Sequence, residues 1–152
     1  MLESVMERRI MWGDLDALGI VFYPRYYEWF DGGAHQFFEA AGIPHDRLWK
    51  EHGLVLGLAE TRCRYLSAGR YHERIKILTR LRDLNRRGLI LEHLVIHATD
   101  GRHMAAGTEK RVCMDAANPL GLKTAAIPET VYRKLEQTLA NDPVPEHLFT
   151  DP

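Results

Sequence analysis

Only two cysteines occur in the 152 residues, Cys63 and Cys113, so neither a disulfide-stapled scaffold nor a zinc module built on thiolates is available to this chain. Neither belongs to a C-x-x-C pair or to a Cys/His grouping at ligand spacing. Each sits alone in a regular segment, where a free thiol behaves as a small hydrophobe, and both read as reduced structural residues. Long hydrophobic runs are missing too. No stretch approaches the roughly 20 apolar residues that cross a bilayer, and the opening Met1-Leu2-Glu3-Ser4-Val5-Met6-Glu7-Arg8-Arg9 lacks the apolar centre of a signal peptide. A cytoplasmic protein with no membrane partner is the expectation. An excess of either charge is absent as well. Lys and Arg total 20 against 21 Asp and Glu, a formal net charge of −1. Nucleic acid is therefore not indicated, and an anionic ligand must be met by a local basic cluster.

What is present is an ordinary globular composition, 45% hydrophobic and 27% charged. The length suits one domain, expected over residues 1–140 with a C-terminal tail at 141–152. No internal repeat or low-complexity segment interrupts it. Residues 5–12 alternate loosely and predict a first strand, and Pro24 opens a helix through Ala41, closed by Gly42 and Pro44. In that helix Tyr27, Phe30, Ala34, Phe37, Phe38 and Ala41 recur at helical spacing. Gly32 and Gly33 each cost the helix roughly 1 kcal/mol relative to Ala, which points to close packing against a sheet wrapped around it. A short helix is predicted over His45 to His52, then strands over 54–66, 75–82, 89–99 and 102–115. The alternation of Ile75, Ile77, Thr79 and Leu81 with Arg74, Lys76, Arg80 and Arg82 reads as a half-buried strand with a basic outer face. Asn85-Arg86-Arg87-Gly88 and Asp100-Gly101 supply hairpin turns. Pro128 opens a last helix to about Leu139.

The chemistry concentrates in Trp12-Gly13-Asp14-Leu15-Asp16-Ala17-Leu18-Gly19-Ile20-Val21-Phe22-Tyr23-Pro24, which sets two carboxylates in a glycine-containing loop just before a helix. A turn or cap role is the ordinary fate of aspartates in such a loop. The Tyr23 N–H, however, lies at the positive end of the helix dipole, where an unpaired donor suits an oxyanion. The eight histidines show no partner pattern. His93 and His97 share a strand face, but four residues along a strand is roughly 13 Å, too far for a common metal.

The spacing of Asp14, Asp16, Gly19, Ile20, Val21, Phe22 and Tyr23, followed by a long aromatic-rich helix, resembles the 4-hydroxybenzoyl-CoA thioesterase group of hot-dog acyl-CoA thioesterases. A second stretch, Tyr65-Leu66-Ser67-Ala68-Gly69-Arg70-Tyr71-His72-Glu73-Arg74-Ile75, resembles the family's link between strands. It departs from it with Ser67 or Ala68 in place of Pro and Glu73 in place of Asp. The resemblance implies an α+β hot-dog fold, a long central helix wrapped by an antiparallel β-sheet, and hydrolysis of a CoA thioester, with an aryl or hydroxybenzoyl-type acyl group first. It implies that Asp16 is the catalytic carboxylate, as base or as nucleophile, and that Tyr23 supplies the oxyanion donor. Asp14 is expected to brace the loop. Gly19 and Phe22 are expected to line the acyl site, and Arg86 and Arg87 to hold the nucleotide phosphates. No metal or other cofactor is expected, coenzyme A being part of the substrate, and a homodimer or homotetramer is implied. The alternative is a non-catalytic acyl-CoA sensor or carrier on the same fold.

Overall fold

The computed structural model describes residues 1–117 and 120–142. Of the expected tail, positions 143–152 lie outside the described residues. The elements run β1 (Glu3–Arg9), a 3-10 turn (Trp12–Asp14), α1 (Arg25–Ala40), α2 (His45–His52), β2 (Leu54–Tyr65), β3 (Arg74–Leu84), β4 (Gly88–His97), β5 (His103–Asp115), β6 (Lys123–Thr124) and α3 (Glu129–Glu136). The first strand thus ends earlier than residue 12, because Ile10 leaves the ladder to hydrogen-bond with the link before β3 and Trp12–Asp14 coils into the 3-10 turn. The two-residue β6 was not anticipated, being too short to carry a periodicity.

The sheet is antiparallel in the order β1-β3-β4-β5-β2, with β6 added to β5. Register follows the alternation. Met6 faces Ile77, Ile77 faces Val95 and Val95 faces Ala105, a continuous apolar row across four strands. The helix α1 lies over this surface, and its buried residues are Tyr26, Trp29, Phe30, Gly33, Ala34, Phe37 and Phe38. The buried stripe is therefore centred on Trp29, Phe30 and Gly33, and Tyr27 is only half-buried at its margin. Trp29, Phe30, Ile75 and Met104 form the core at the N-terminal end of the helix. At the other end Phe37, Phe38, Leu81 and Leu91 are closed over by Leu48 of α2 and Leu135 of α3.

On the opposite face of the sheet the basic side of β3 is largely neutralised by its neighbours. Lys76 reaches Glu7 at 3.5 Å, and Arg80 reaches Glu92 of β4 at 2.8 Å. These are strand-to-strand charge pairs of the kind that add modestly to sheet stability.

The glycine pair in α1 has two different environments. A Cβ on Gly33 would stand 2.7 Å from Thr79 Oγ1 and 3.2 Å from Ile77 Cγ2 on β3, whereas one on Gly32 would meet only the flexible Met6 side chain, at 3.3 Å from its sulfur. Gly33→Ala is accordingly expected to lower unfolding free energy by about 1–3 kcal/mol through overpacking. Gly32→Ala should be neutral or gain up to about 1 kcal/mol of helix propensity. Denaturant unfolding of both variants checks this, and equal effects would contradict the packing account.

Candidate active site

The loop between β1 and α1 is a small double-backed structure. Leu15 bridges Val21, Asp16 N–H donates to Ile20 O at 2.9 Å, and Phe22 N–H donates to Asp14 O at 2.8 Å. The reversal is made at Asp16–Gly19, where Gly19 takes φ +74° and returns its N–H to Asp16 O. Only a residue without Cβ adopts that angle freely. The link after β2 locks the loop from outside, through Val21 N–H to Gly69 O and the bridge from Ile20 to Arg70.

The two carboxylates are used differently. Asp14 is buried, and its Oδ2 accepts from Met11 N–H at 2.8 Å and pairs with Arg8 at 2.9 Å. Arg8 in turn lies over the Trp29 ring, 4.7 Å from its centroid. Asp14 therefore braces the loop. Asp16 is half-buried, and its Oδ1 accepts the Leu18 N–H at 2.8 Å, the turn contact that such a residue ordinarily makes. No donor reaches its Oδ2 among the described residues. The carboxylate is oriented by one oxygen and available through the other.

Tyr23 stands immediately before Pro24, which flanks the start of α1. Its N–H has no acceptor among the described residues, although both neighbouring peptide groups are held, Phe22 N–H by Asp14 O and Tyr23 O by the Tyr65 hydroxyl at 3.1 Å. An unpaired donor at a helix N-terminus is suited to an anionic oxygen. Around it Trp12, Leu18, Phe22, Tyr23, Tyr65 and Tyr71 remain exposed. The aromatic residues nearest the helix mouth are thus not core but a collar, with Phe22 edge-on to Tyr23 and Tyr23 edge-on to Tyr65. Behind the collar, burial pushes the Tyr26 phenol up to about 12 and the Cys63 thiol up to about 11, so both stay neutral.

Arg86 and Arg87 occupy the β3–β4 turn, at the opposite end of β3 from the loop. Arg74 opens that 11-residue strand beside Arg9, and the strand spans about 33 Å. Arg86 is engaged, 2.7 Å from Glu129 and over the Tyr132 ring. Arg87 donates to Thr124 Oγ1 at 3.2 Å and, with Lys110 and Ile90, lines a surface cavity of about 280 Å³. One chain therefore does not bring Arg86 and Arg87 together with Asp16 and Tyr23.

Two polar clusters escaped the sequence reading. Beneath α1, His93 is fully buried, stacked on Phe30, with Nδ1 2.9 Å from Thr79 Oγ1 and Nε2 3.5 Å from Glu109. Glu109 pairs with Arg111, and Arg111 continues to Asp31 of α1 at 2.9 Å and to the Leu56 carbonyl of β2. Burial lowers the His93 pKa, so the ring is neutral. Beside the loop, Glu73 binds His97 Nε2 at 2.8 Å, Arg102 at 2.7 Å and Arg70 N–H at 2.6 Å. His97 Nδ1 accepts backbone N–H groups from Thr99 and Asp100, which assigns its proton to Nε2. His93 and His97 thus have separate partners.

The thioesterase-like superfamily model matches residues 10–135, and that range contains the loop, α1 and the whole curled sheet except β1. The chain belongs to this superfamily, and its fold is the hot-dog fold. The chain is 34% identical to a gentisyl-coenzyme A thioesterase of known structure, covering 86% of this chain and 98% of that one with a TM-score of 0.74. It is 28% identical over 98 residues to 4-hydroxybenzoyl-CoA thioesterase of Pseudomonas sp. strain CBS-3, 63% of this chain and 70% of that protein. The structure of an aspartate-to-asparagine mutant of 4-hydroxybenzoyl CoA thioesterase, complexed with 4-hydroxybenzoyl CoA, shares the fold at TM-score 0.81. It is 23% identical, with 88% of this chain and 98% of that chain covered. Among the described residues of this chain, no helix is long and apolar enough to cross a membrane.

The Glu73 cluster gives the link to β3 a defined pH response. Partial burial raises the Glu73 carboxyl, but hydrogen bonds from Arg102 and the Arg70 N–H, with the nearby charges, outweigh it and hold the group below its usual 4.5. A depressed carboxyl contributes stability that is present above the unfolded-state pKa and is lost as pH falls through the folded one. Wild type is therefore expected to exceed Glu73→Gln in stability at neutrality, and the gap should close as pH falls below about 4.5. Urea unfolding across that range tests it, and a gap independent of pH would contradict it.

Proposed function

We propose that the chain hydrolyses an acyl-CoA thioester to a free acid and coenzyme A, with an aryl or hydroxybenzoyl-type acyl group as its substrate class. The observation that carries the reading is the pairing of an open Asp16 oxygen with an unpaired Tyr23 N–H on one short loop. In the reaction the oxygen of water adds to the thioester carbon while Asp16 Oδ2 takes the water proton. The carbonyl oxygen becomes an oxyanion facing the Tyr23 N–H. Collapse of that intermediate breaks the C–S bond, and the proton passes from Asp16 to the leaving sulfur. This chemistry requires no metal or redox group. Gly19 shapes the turn that aims Asp16, and Phe22 in the exposed collar supplies a flat wall for an aromatic acyl group. The aryl preference is supported by that collar and by relatives that act on gentisyl- and 4-hydroxybenzoyl-CoA.

The working form is a homodimer, or a homotetramer made of such dimers, in the cytoplasm. Strand β2 has 12 residues and lies at the sheet edge, pairing among the described residues only with β5, an arrangement that invites a second copy. Its Tyr65 end adjoins Tyr23, and its Leu54 end lies towards the Arg86–Arg87 turn, through Leu56 beside Cys113 and Cys113 N–H to Arg87 O. Antiparallel pairing of two β2 edges therefore carries the Arg86–Arg87 turn of one copy to the end of the sheet where the other copy holds Asp16. In that arrangement Arg87 and Lys110 meet the nucleotide phosphates, with Arg86 held behind them by Glu129.

Release of free thiol from a panel of aryl and alkyl acyl-CoAs tests the reading. Wild type is expected to turn over aryl thioesters, and Asp16→Asn to bind them but lose at least about 10² in kcat. Binding without turnover by wild type would leave the sensor or carrier reading in its place. A second expectation concerns assembly. Specific activity should fall on dilution together with the sedimentation-measured mass, and a fully active 17.5 kDa monomer would refute the shared site.

A further inference from the structure

We infer that Tyr65 is a positioning residue, fixing through its hydroxyl the peptide that immediately follows the proposed oxyanion donor and linking that donor to the edge strand. The inference rests on the thioesterase reading of the Tyr23 N–H. Three observations meet at this side chain. The Tyr65 hydroxyl donates to Tyr23 O at 3.1 Å, while the helix's own first-turn contact to that oxygen, from Tyr26 N–H, is long at 3.4 Å. The Tyr65 ring packs edge-on against Tyr26 at 5.5 Å and Tyr23 at 6.3 Å. It is also the last residue of β2, held in register opposite Ala105.

Tyr23 O and Tyr23 N–H belong to consecutive peptide planes. With Phe22 N–H held by Asp14 and Tyr23 O held by Tyr65, the rotations that would turn the Tyr23 N–H away from the site are closed from both sides. A preorganised donor loses no free energy to reorientation when the oxyanion forms. The phenol keeps its proton, since burial, the Cys63 thiol and the Tyr27 phenol all raise its pKa, so it donates throughout the working range. Because Tyr65 lies on the edge strand, disturbance of that edge is transmitted to the donor without any contact to substrate.

Tyr65→Phe keeps the ring contacts and removes only the hydroxyl. Its expected effects are a kcat lower by about tenfold, the worth of one hydrogen bond, with KM for an aryl-CoA within about twofold. The Tyr23 amide should show a shifted nitrogen-15 resonance and faster hydrogen exchange, while the midpoint of thermal unfolding and the sedimenting mass stay at wild-type values. If wild type releases no thiol from any acyl-CoA, the thioesterase reading fails. The amide measurement still tests the positioning, because it needs no substrate. An unmoved Tyr23 amide, or equal losses in stability and activity, would overturn the inference.

Discussion

The close approach of α1 to the concave face of the sheet is the constraint on which the rest depends. It is permitted at two points where a side chain is missing. Gly33 lets the helix backbone down onto Thr79 and Ile77, and Gly107 of β5 leaves room for the Phe30 ring, which a Cβ there would overlap. Once the helix is seated, its N-terminus is fixed at one end of the sheet, and the 10–24 segment must bridge from β1 to that point. The same seating buries Phe30 against His93, where a polar chain from Thr79 to Asp31 crosses the sheet under the helix. Such buried polar groups are costly unless paired, and here Thr79 meets His93 Nδ1 and Glu109 meets Arg111 and through it Asp31, while His93 Nε2 approaches Glu109 only to 3.5 Å. The helix is thereby held in one position rather than merely buried.

The site is a consequence of that placement. A short loop held at both ends turns back on itself at Gly19, and the turn divides the labour of two acids two positions apart. Asp14 points inward to Arg8 and Met11 and is spent on structure. Asp16 points outward with one oxygen committed to the turn. Among the described residues the donor at Tyr23 is left without an acceptor, the chain there being neither strand nor helix and its two neighbouring groups having partners of their own. Donor and carboxylate thus share one short loop, which is held from outside by Gly69, Arg70 and Tyr65 as well as by the helix seat.

Most of the fold was legible in residue order, and the exceptions have physical causes. Alternation and helical spacing located α1, α2 and the four long strands, since each buries one face. Gly32 and Gly33 foretold a close helix–sheet contact, but only tertiary structure distinguishes the tight Gly33 from the tolerant Gly32. The end of β1 was misplaced because hydrophobic residues continue past Arg9 into Ile10, Met11 and Trp12, where Ile10 packs into the core from a loop. The departures in the second motif are accommodated locally. Ser67 uses a backbone N–H that proline lacks, to Met104 O at 3.2 Å, and its hydroxyl binds His103 O. Glu73 organises Arg102 and His97. Arg111, Asp31 and the Tyr65 hydroxyl carried no signal in the sequence, because their partners lie 80 residues apart in the first case and 42 in the second.

The central claim is that Asp16 and the Tyr23 N–H flank a thioester carbonyl. Its most direct test is a crystal structure of the Asp16→Asn variant with intact 4-hydroxybenzoyl-CoA bound. The account predicts the thioester oxygen within hydrogen-bonding distance of the Tyr23 N–H, the residue 16 side chain beside the carbonyl carbon, and the aromatic ring against the Phe22 side of the collar. A thioester bound away from this loop, or a carbonyl oxygen held by other donors while Tyr23 N–H stays unpaired, would contradict it.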